Sequence, residues 1–265
     1  MRAIRTLVVC GVLMAVALPV APAELNCHGA PNVEDFRYTW RVRGAIGWLA
    51  GLVFPTSGVG TMKTTFPVAG QPHITSQLLI TPTDGHGGFY VYESQMDTTA
   101  QTTLVSYHGY AWGKKSRKER TVFDYNSRVA QVHKETPEKA WDKTKPLPPQ
   151  VGRDVLTAIY FLRENAAGIK APISTVIYSD GDQYPVIFRP VGRRAFSFAG
   201  AQTNALGFEI VDAPGGKKWN GGVKVWLSED ARRIPFRIEI NESVASMQLD
   251  LTSVESCGFM NHPSS

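Results

Sequence analysis

The sequence predicts an all-β fold: a large antiparallel barrel or curled β-spiral sheet with one packed α-helix at about 154–164. Three observations predict it. Short segments alternate apolar and polar residues with period two, as half-buried strands do. Gly, Pro, Asp and Asn punctuate these segments at short, regular spacing. Only one stretch carries helical spacing instead. Roughly a dozen or more strands with a single helix suit one sheet that closes or curls on itself, which also leaves few exposed edges.

The first strand is Phe36-Arg-Tyr-Thr-Trp-Arg-Val-Arg43, aromatic or apolar on one face and polar on the other. Gly60–Phe66, Ile74–Thr81, Gly88–Glu93, Thr103–Ala111, Arg120–Asp124 and Arg128–Lys134 follow the same pattern. Asp84-Gly85, Tyr125-Asn126 and Asp180-Gly181 stand where tight turns are expected. Pro146-Leu-Pro-Pro149 is a stiff extended lead-in. After it, Val151, Val155, Ile159 and Leu162 share one helical face, which Leu156 and Tyr160 widen. Asp154 at the start and Arg163 near the end suit the helix dipole, and Gly168 is a stop. Strands resume at Ser174–Ser179, Gln183–Pro190, Arg194–Ala199 and Gly207–Asp212. Val223–Ser228, Ile234–Ile240 and Val244–Leu251 complete the set, with Pro185 and Pro235 near strand starts or edges.

Arg2 and Arg5, the apolar run Leu7–Val20 and Ala21-Pro22-Ala23 have the order of a secretory signal peptide, so 1–23 is expected to be a leader and 24–265 a single domain. The run continues past Cys10, and bulky Val9 precedes it, which argues against a lipidation site there. No second apolar stretch approaches the ~20 residues of a spanning helix, so the mature chain is expected to be soluble, in the periplasm. Of 28 basic and 23 acidic residues only Arg2 and Arg5 lie in the leader, leaving a net charge of +3 on the mature chain. That balance is too weak to argue for nucleic acid.

Removing the leader removes Cys10 and leaves Cys27 and Cys257, one near each end. In an oxidising compartment they admit one intramolecular pairing. Such a staple closes nearly the whole chain, worth about 4–5 kcal/mol in the chain-entropy picture, and would close the seam of a barrel. A redox pair is the other reading, but it calls for close spacing such as C-x-x-C.

No catalytic motif is present. The six histidines, His28, His73, His86, His108, His133 and His262, show no metal-ligand spacing, so no metal and no cofactor is expected. Neither Thr56-Ser57-Gly58 nor Ala245-Ser246-Met247 makes a nucleophile elbow, and Asp180-Gly-Asp182 lacks the rest of a calcium loop. Two segments are candidates for contact. Gly44–Phe54, with Ile46, Trp48, Leu49, Leu52 and Phe54, reads as a ligand cavity or flap, or as a buried strand. Lys114, Lys115, Arg117, Lys118 and Arg120 form the densest charge run, a contact for anionic surfaces or a solvated hairpin loop.

The helix segment Asp154–Arg163, Phe123-Asp124-Tyr125, the run Val225–Ile238 and Met247–Leu251 together resemble the bacterial family catalogued as domain of unknown function 3108. That resemblance spans roughly Phe36–Leu251 and implies an exported, β-rich envelope protein. It supplies no catalytic residues. The strand, charged turn and Pro-containing strand pattern is also similar, in fold only, to lipoprotein-sorting carriers and β-spiral envelope-integrity proteins. The combined expectation is a non-enzymatic periplasmic protein that binds a lipid, a lipoprotein or a cell-envelope polymer and supports envelope integrity. The alternatives are a periplasmic protein-interaction scaffold and an envelope glycan or ester hydrolase. The oligomeric state is open.

Overall fold

The computed structural model describes residues 32–43, 55–83, 87–147, 149, 152–179, 181–219, 222–241 and 246–257. They form one 15-stranded sheet and one helix. The first eight strands are β1 (Val33–Arg43), β2 (Ser57–Thr65), β3 (Ile74–Pro82), β4 (Phe89–Met96), β5 (Thr103–Trp112), β6 (Lys115–Asp124), β7 (Val129–Glu135) and β8 (Ala140–Pro146). A two-residue β9 (Gly152–Arg153) leads into helix α1 (Val155–Asn165). Then come β10 (Ile173–Ser179), β11 (Asp182–Phe198), β12 (Ala201–Asp212), β13 (Gly222–Ser228), β14 (Pro235–Asn241) and β15 (Ser246–Cys257).

The spatial order is β8-β7-β6-β5-β4-β3-β2-β1-β15-β14-β13-β12-β11-β10-β9. Two meanders therefore meet where β1 pairs with β15, and every pairing is antiparallel except β9 with β10. The sheet is curled, and its ladder does not close: β8 and β9 are both edges. This settles the barrel-or-curl alternative for the curl. It also relocates the seam. The strands nearest the two termini are hydrogen-bonded neighbours along the whole of β1, so a terminal staple has no seam to close there.

Across the gap, β8 meets the start of β11 through side chains instead. Gln183 Nε2 donates to Pro146 O at 3.1 Å, and Lys145 and Lys217 both pair with Asp182. These contacts, Lys145 first, hold the Asp182 carboxyl below the usual range. Behind them Phe123, Ala130, Val132, Leu147 and Tyr178 form a small buried cluster, with Phe123 and Tyr178 edge to face at 4.7 Å. The Tyr125 hydroxyl donates to Thr103 O at 2.8 Å and lies 3.3 Å from Gly152 O, tying the β6–β7 turn to β5 and β9.

Several expectations are corrected in detail. Lys115–Arg120 is strand rather than hairpin loop; only Lys114 sits in the turn. Gln183–Pro190 and Arg194–Phe198 belong to one long strand, β11, because the bulge at Pro190/Gly192 keeps its pairing with β12, and Ala199 falls in the turn beyond it. β8 was not expected at all.

α1 lies inside the curl. Leu156 through Tyr160, and Leu162 and Arg163, are all buried, so the helix is enclosed round most of its circumference. Phe36, Tyr38 and Trp40 on β1, Met62 on β2, Ile238 on β14 and Leu249 on β15 pack around it in the main core. Asp154 is the N-cap, its Oδ1 accepting from Thr157 N at 2.8 Å. Beneath the helix five small hydroxyl residues stand in register on consecutive strands: Thr64, Ser76, Ser94, Ser106 and Thr121. Their size lets the helix approach the sheet; Thr64 and Ser94 of the row, with Thr103 beside it, also bond the helix, Thr64 Oγ1 accepting from the Tyr160 hydroxyl. Ser94 Oγ donates to Asp154 Oδ2, and Thr103 Oγ1 donates to Thr157 Oγ1 at 2.8 Å.

The strand directions define two rims. β1, β3, β5 and β7 end at what we call the upper rim, and β10, β12 and β14 end there too. α1 runs from that side downward. Its last turn reaches the lower rim, where Arg163 meets Glu34 at the start of β1 and the carbonyls of Arg232 and Arg233.

One close approach requires glycine. At Gly58 on β2 a Cβ would stand 2.1 Å from Thr81 O and 2.5 Å from Trp40 Nε1, which donates to that carbonyl at 3.1 Å. Gly58→Ala is expected to lower stability by about 2–4 kcal/mol, from overpacking plus a lost buried hydrogen bond. Urea denaturation measures it.

Candidate functional site

The upper half of the curl is not filled. A chamber of about 230 Å³ lies between the first turn of α1 and the two walls of the sheet. Leu78, Val155, Leu156, Val223 and Ile240 supply its apolar surface. Tyr184, Trp219 and Gly222 bring it to the upper rim. Alternation explains the lining: Leu78, Tyr92, His108 and Glu119 stand in register on β3, β4, β5 and β6, one inward row above the hydroxyl row. The Tyr92 and His108 rings stack at 4.7 Å with only 12° between their planes.

A smaller recess of about 40 Å³ continues from the chamber and shares Tyr92, His108, Val155, Leu156 and Ser179 with it. The rest of its wall includes Ser94, Ser106, Glu119, Asp154 and Tyr178. That is room for a group the size of one or two waters, with polar partners at hand. Glu119 is buried and doubly paired, with Lys134 Nζ at 2.6 Å and an Arg117 guanidinium nitrogen at 3.0 Å. Burial pushes the Asp154 carboxyl up from its ordinary value, against the lowering effect of the bonds from Ser94 and Thr157.

Asp154→Asn tests that charge directly. The amide keeps the cap and can donate to Ser94 Oγ. A carboxyl whose folded value is raised loses stability as pH rises from its unfolded pKa through its folded one. Asp154→Asn is therefore expected to gain stability relative to the parent as pH rises through that window and to match it more closely in acid. Asp154→Ala loses the cap and costs about 1–2 kcal/mol. Thermal melts across pH check both.

Of the residues singled out from sequence, Ile46, Trp48, Leu49, Leu52 and Phe54 lie outside the described residues, as do Cys27 and the leader. Their flanks, Arg43 and Pro55, stand at the upper rim. Cys257 is the last residue of β15, opposite Glu34, and its side chain is outside the description. The five cations do not form one patch. Lys114 and Lys115 are at the upper rim, Arg117 turns inward to Glu119, and Lys118 pairs with Glu135 at 3.1 Å on the outer face, where Arg120 is also exposed. Tyr92, Tyr184 and the recess serines Ser94, Ser106 and Ser179 were not singled out. Inward alternation on β4 and β5 was visible, but their register was not.

Fold and site together define a curled antiparallel β-cup, locked below by an enclosed helix and hollow above it. The profile of the family described as "Protein of unknown function (DUF3108)" matches residues 37–252, and the chain belongs to that family. No functionally curated protein matches the chain. Among solved structures, a β-barrel-like protein of domain of unknown function DUF1849 from Brucella abortus is similar over 85% of this chain and 98% of that chain. The TM-score is 0.58 at 10% identity, so the two share a fold. A putative outer membrane lipoprotein-sorting protein domain from Vibrio parahaemolyticus aligns over 85% of this chain and 86% of that chain, at 10% identity and TM-score 0.25. A DUF1329 family protein from Desulfovibrio piger covers the same shares at 8% identity and TM-score 0.22. The last two are too distant in shape to bear on function. No helix among the described residues is long and apolar enough to cross a membrane.

Proposed function

We propose that this is a non-enzymatic periplasmic protein of the cell envelope that binds a small amphiphile, a lipid or the lipid-bearing end of a lipoprotein, in the upper chamber and so supports envelope integrity. The carrying observation is the chamber itself. It is preformed, lined by apolar and polar groups in about equal measure, bounded by both walls of the curl and open at one rim. Ligand sites are concave and combine apolar surface with a few placed polar groups, as the chamber and its recess together do. The leader read from the sequence supports export.

The test is native mass spectrometry on protein purified from its own envelope without detergent, followed by lipid extraction. The expected result is a co-purifying amphiphile released on denaturation. A clean apo mass, together with no uptake of added single-chain amphiphiles, overturns the reading.

A further inference from the structure

Charge is spread unevenly along the sheet. Residues 114–146, which are β6, β7 and β8 with the turn ahead of them, hold ten basic and five acidic side chains, a net charge of +5. The chain beyond residue 23 carries +3 in all, so everything outside this meander is net negative. The meander is also one free end of the sheet, because β8 is an edge.

Ion pairs account for part of this charge and show where the rest is left. Glu119 is held inside by Lys134 and Arg117. On the outer face Glu135 pairs with Lys118 and Asp142 with His133, and Lys145 meets Asp182 across the gap. Lys114, Lys115 and Lys139 are exposed, and among the described residues none of the three has an acid partner. They stand on two neighbouring turns at the upper rim. The β5–β6 hairpin closes at Trp112–Lys115, the β7–β8 hairpin at Glu135–Ala140, and Lys118–Glu135 joins the two. Glu138 is the one acid on these turns, and exposed Arg120 continues the cations down the outer face.

The form of the patch selects its partner. The cations sit on protruding turns rather than in a groove. Those on the turns are lysines, point charges on flexible stems, not guanidinium forks set for one carboxylate or phosphate. That suits a broad anionic surface, which attracts basic side chains by its field. Aromatic rings stand beside them, as they do where proteins meet a membrane interface. The Lys139 ammonium lies 5.0 Å over the Trp141 ring, and Phe89, 39% exposed, opens β4 at the same rim opposite Ala111 of β5.

We propose that the β5–β6 and β7–β8 turns dock the protein on an anionic lipid bilayer, with Lys114, Lys115 and Lys139 against the head groups and Trp141 and Phe89 beside them. The surface alone carries this, whether or not the chamber holds a ligand.

Co-sedimentation of the mature full chain with vesicles tests it at about 0.1 M salt, where the field still reaches ~10 Å. Vesicles of phosphatidylcholine with about one-third phosphatidylglycerol are expected to bind at least tenfold tighter than phosphatidylcholine alone. Each lysine at such a surface contributes about fivefold. The triple variant Lys114→Gln, Lys115→Gln, Lys139→Gln is therefore expected to lose tenfold or more, with an unchanged melting curve. A control that removes the same charge elsewhere, Lys63→Gln, Arg128→Gln, Lys170→Gln, is expected to stay within about twofold of the parent. Equal binding to both kinds of vesicle overturns the proposal. So does a control that loses as much as the turn variant, since total charge rather than these turns would then set binding. Soluble poly-L-glutamate bound as tightly as the anionic vesicles, at equal charge concentration, would assign the patch to an acidic chain and overturn the bilayer as its partner.

Discussion

Arg163→Met is expected to lower stability by about 3–5 kcal/mol. Both members of the Arg163–Glu34 pair are almost fully buried, and the guanidinium binds the carboxylate through two nitrogens at 2.6 Å each. Arg163 also donates to the Arg232 and Arg233 carbonyls, at 2.9 and 3.0 Å, and stacks its guanidinium over Tyr160 at 4.7 Å. Burial opposes its charge, but Glu34 and Tyr160 outweigh burial and its pKa is raised. Methionine fills the volume and leaves Glu34 without its counter-ion in a dry site. The double change Arg163→Met with Glu34→Gln removes both charges and is expected to recover much of the loss. Guanidinium melts of the two variants measure it. A double variant as unstable as Arg163→Met would mean that packing, rather than the stranded carboxylate, sets the cost. This pair bolts the end of α1 to β1 and the β13–β14 turn, and so fixes the floor of the cup from below.

Val223→Trp is expected to abolish amphiphile binding, by a hundredfold or more, while the fold persists. Val223 points inward from β13 and lines the chamber, where an indole takes up much of the space a ligand would use. Overpacking is expected to cost about 1–3 kcal/mol, which a fold held by so extensive a sheet tolerates. Val155→Phe approaches the same space from the first turn of α1 and is expected to act in the same direction with less strain. Uptake of 1-decanol, measured beside the melting curve, separates lost space from lost fold. A Val223→Trp protein that melts near the parent and still binds would place the ligand elsewhere.

The all-β class, most strands and the single helix were legible because period-two alternation and one run of helical spacing are local signals. What was not legible depended on pairing. Ala140-Trp-Asp-Lys-Thr-Lys-Pro146 carries charge on both faces, as an edge strand with water on both sides can, and only the β7 ladder makes it a strand. The Lys114–Arg120 run reads as a loop for the same reason, although Glu119 within it is buried by two cations that arrive from β7 and from its own strand. Pro190-Val-Gly192 reads as a break, yet the bulge there lets β11 continue. The open seam follows from β9 being only two residues long, which no local pattern announces. Asp154 was legible as an acid at a helix start. Its burial beside a recess needed the Ser94–Ser106 register. The stack of Tyr92 on His108 needed the neighbouring pair in that same ladder.

The central claim is that the hollow above α1 is a ligand site. A crystal of the mature protein soaked with 10-bromodecan-1-ol tests it most directly, since bromine is located by its anomalous scattering. The account predicts a bromine peak and chain density inside the chamber, against Val155 and Val223. A chamber holding only ordered water, with bromine confined to the outer face of the sheet, would contradict it.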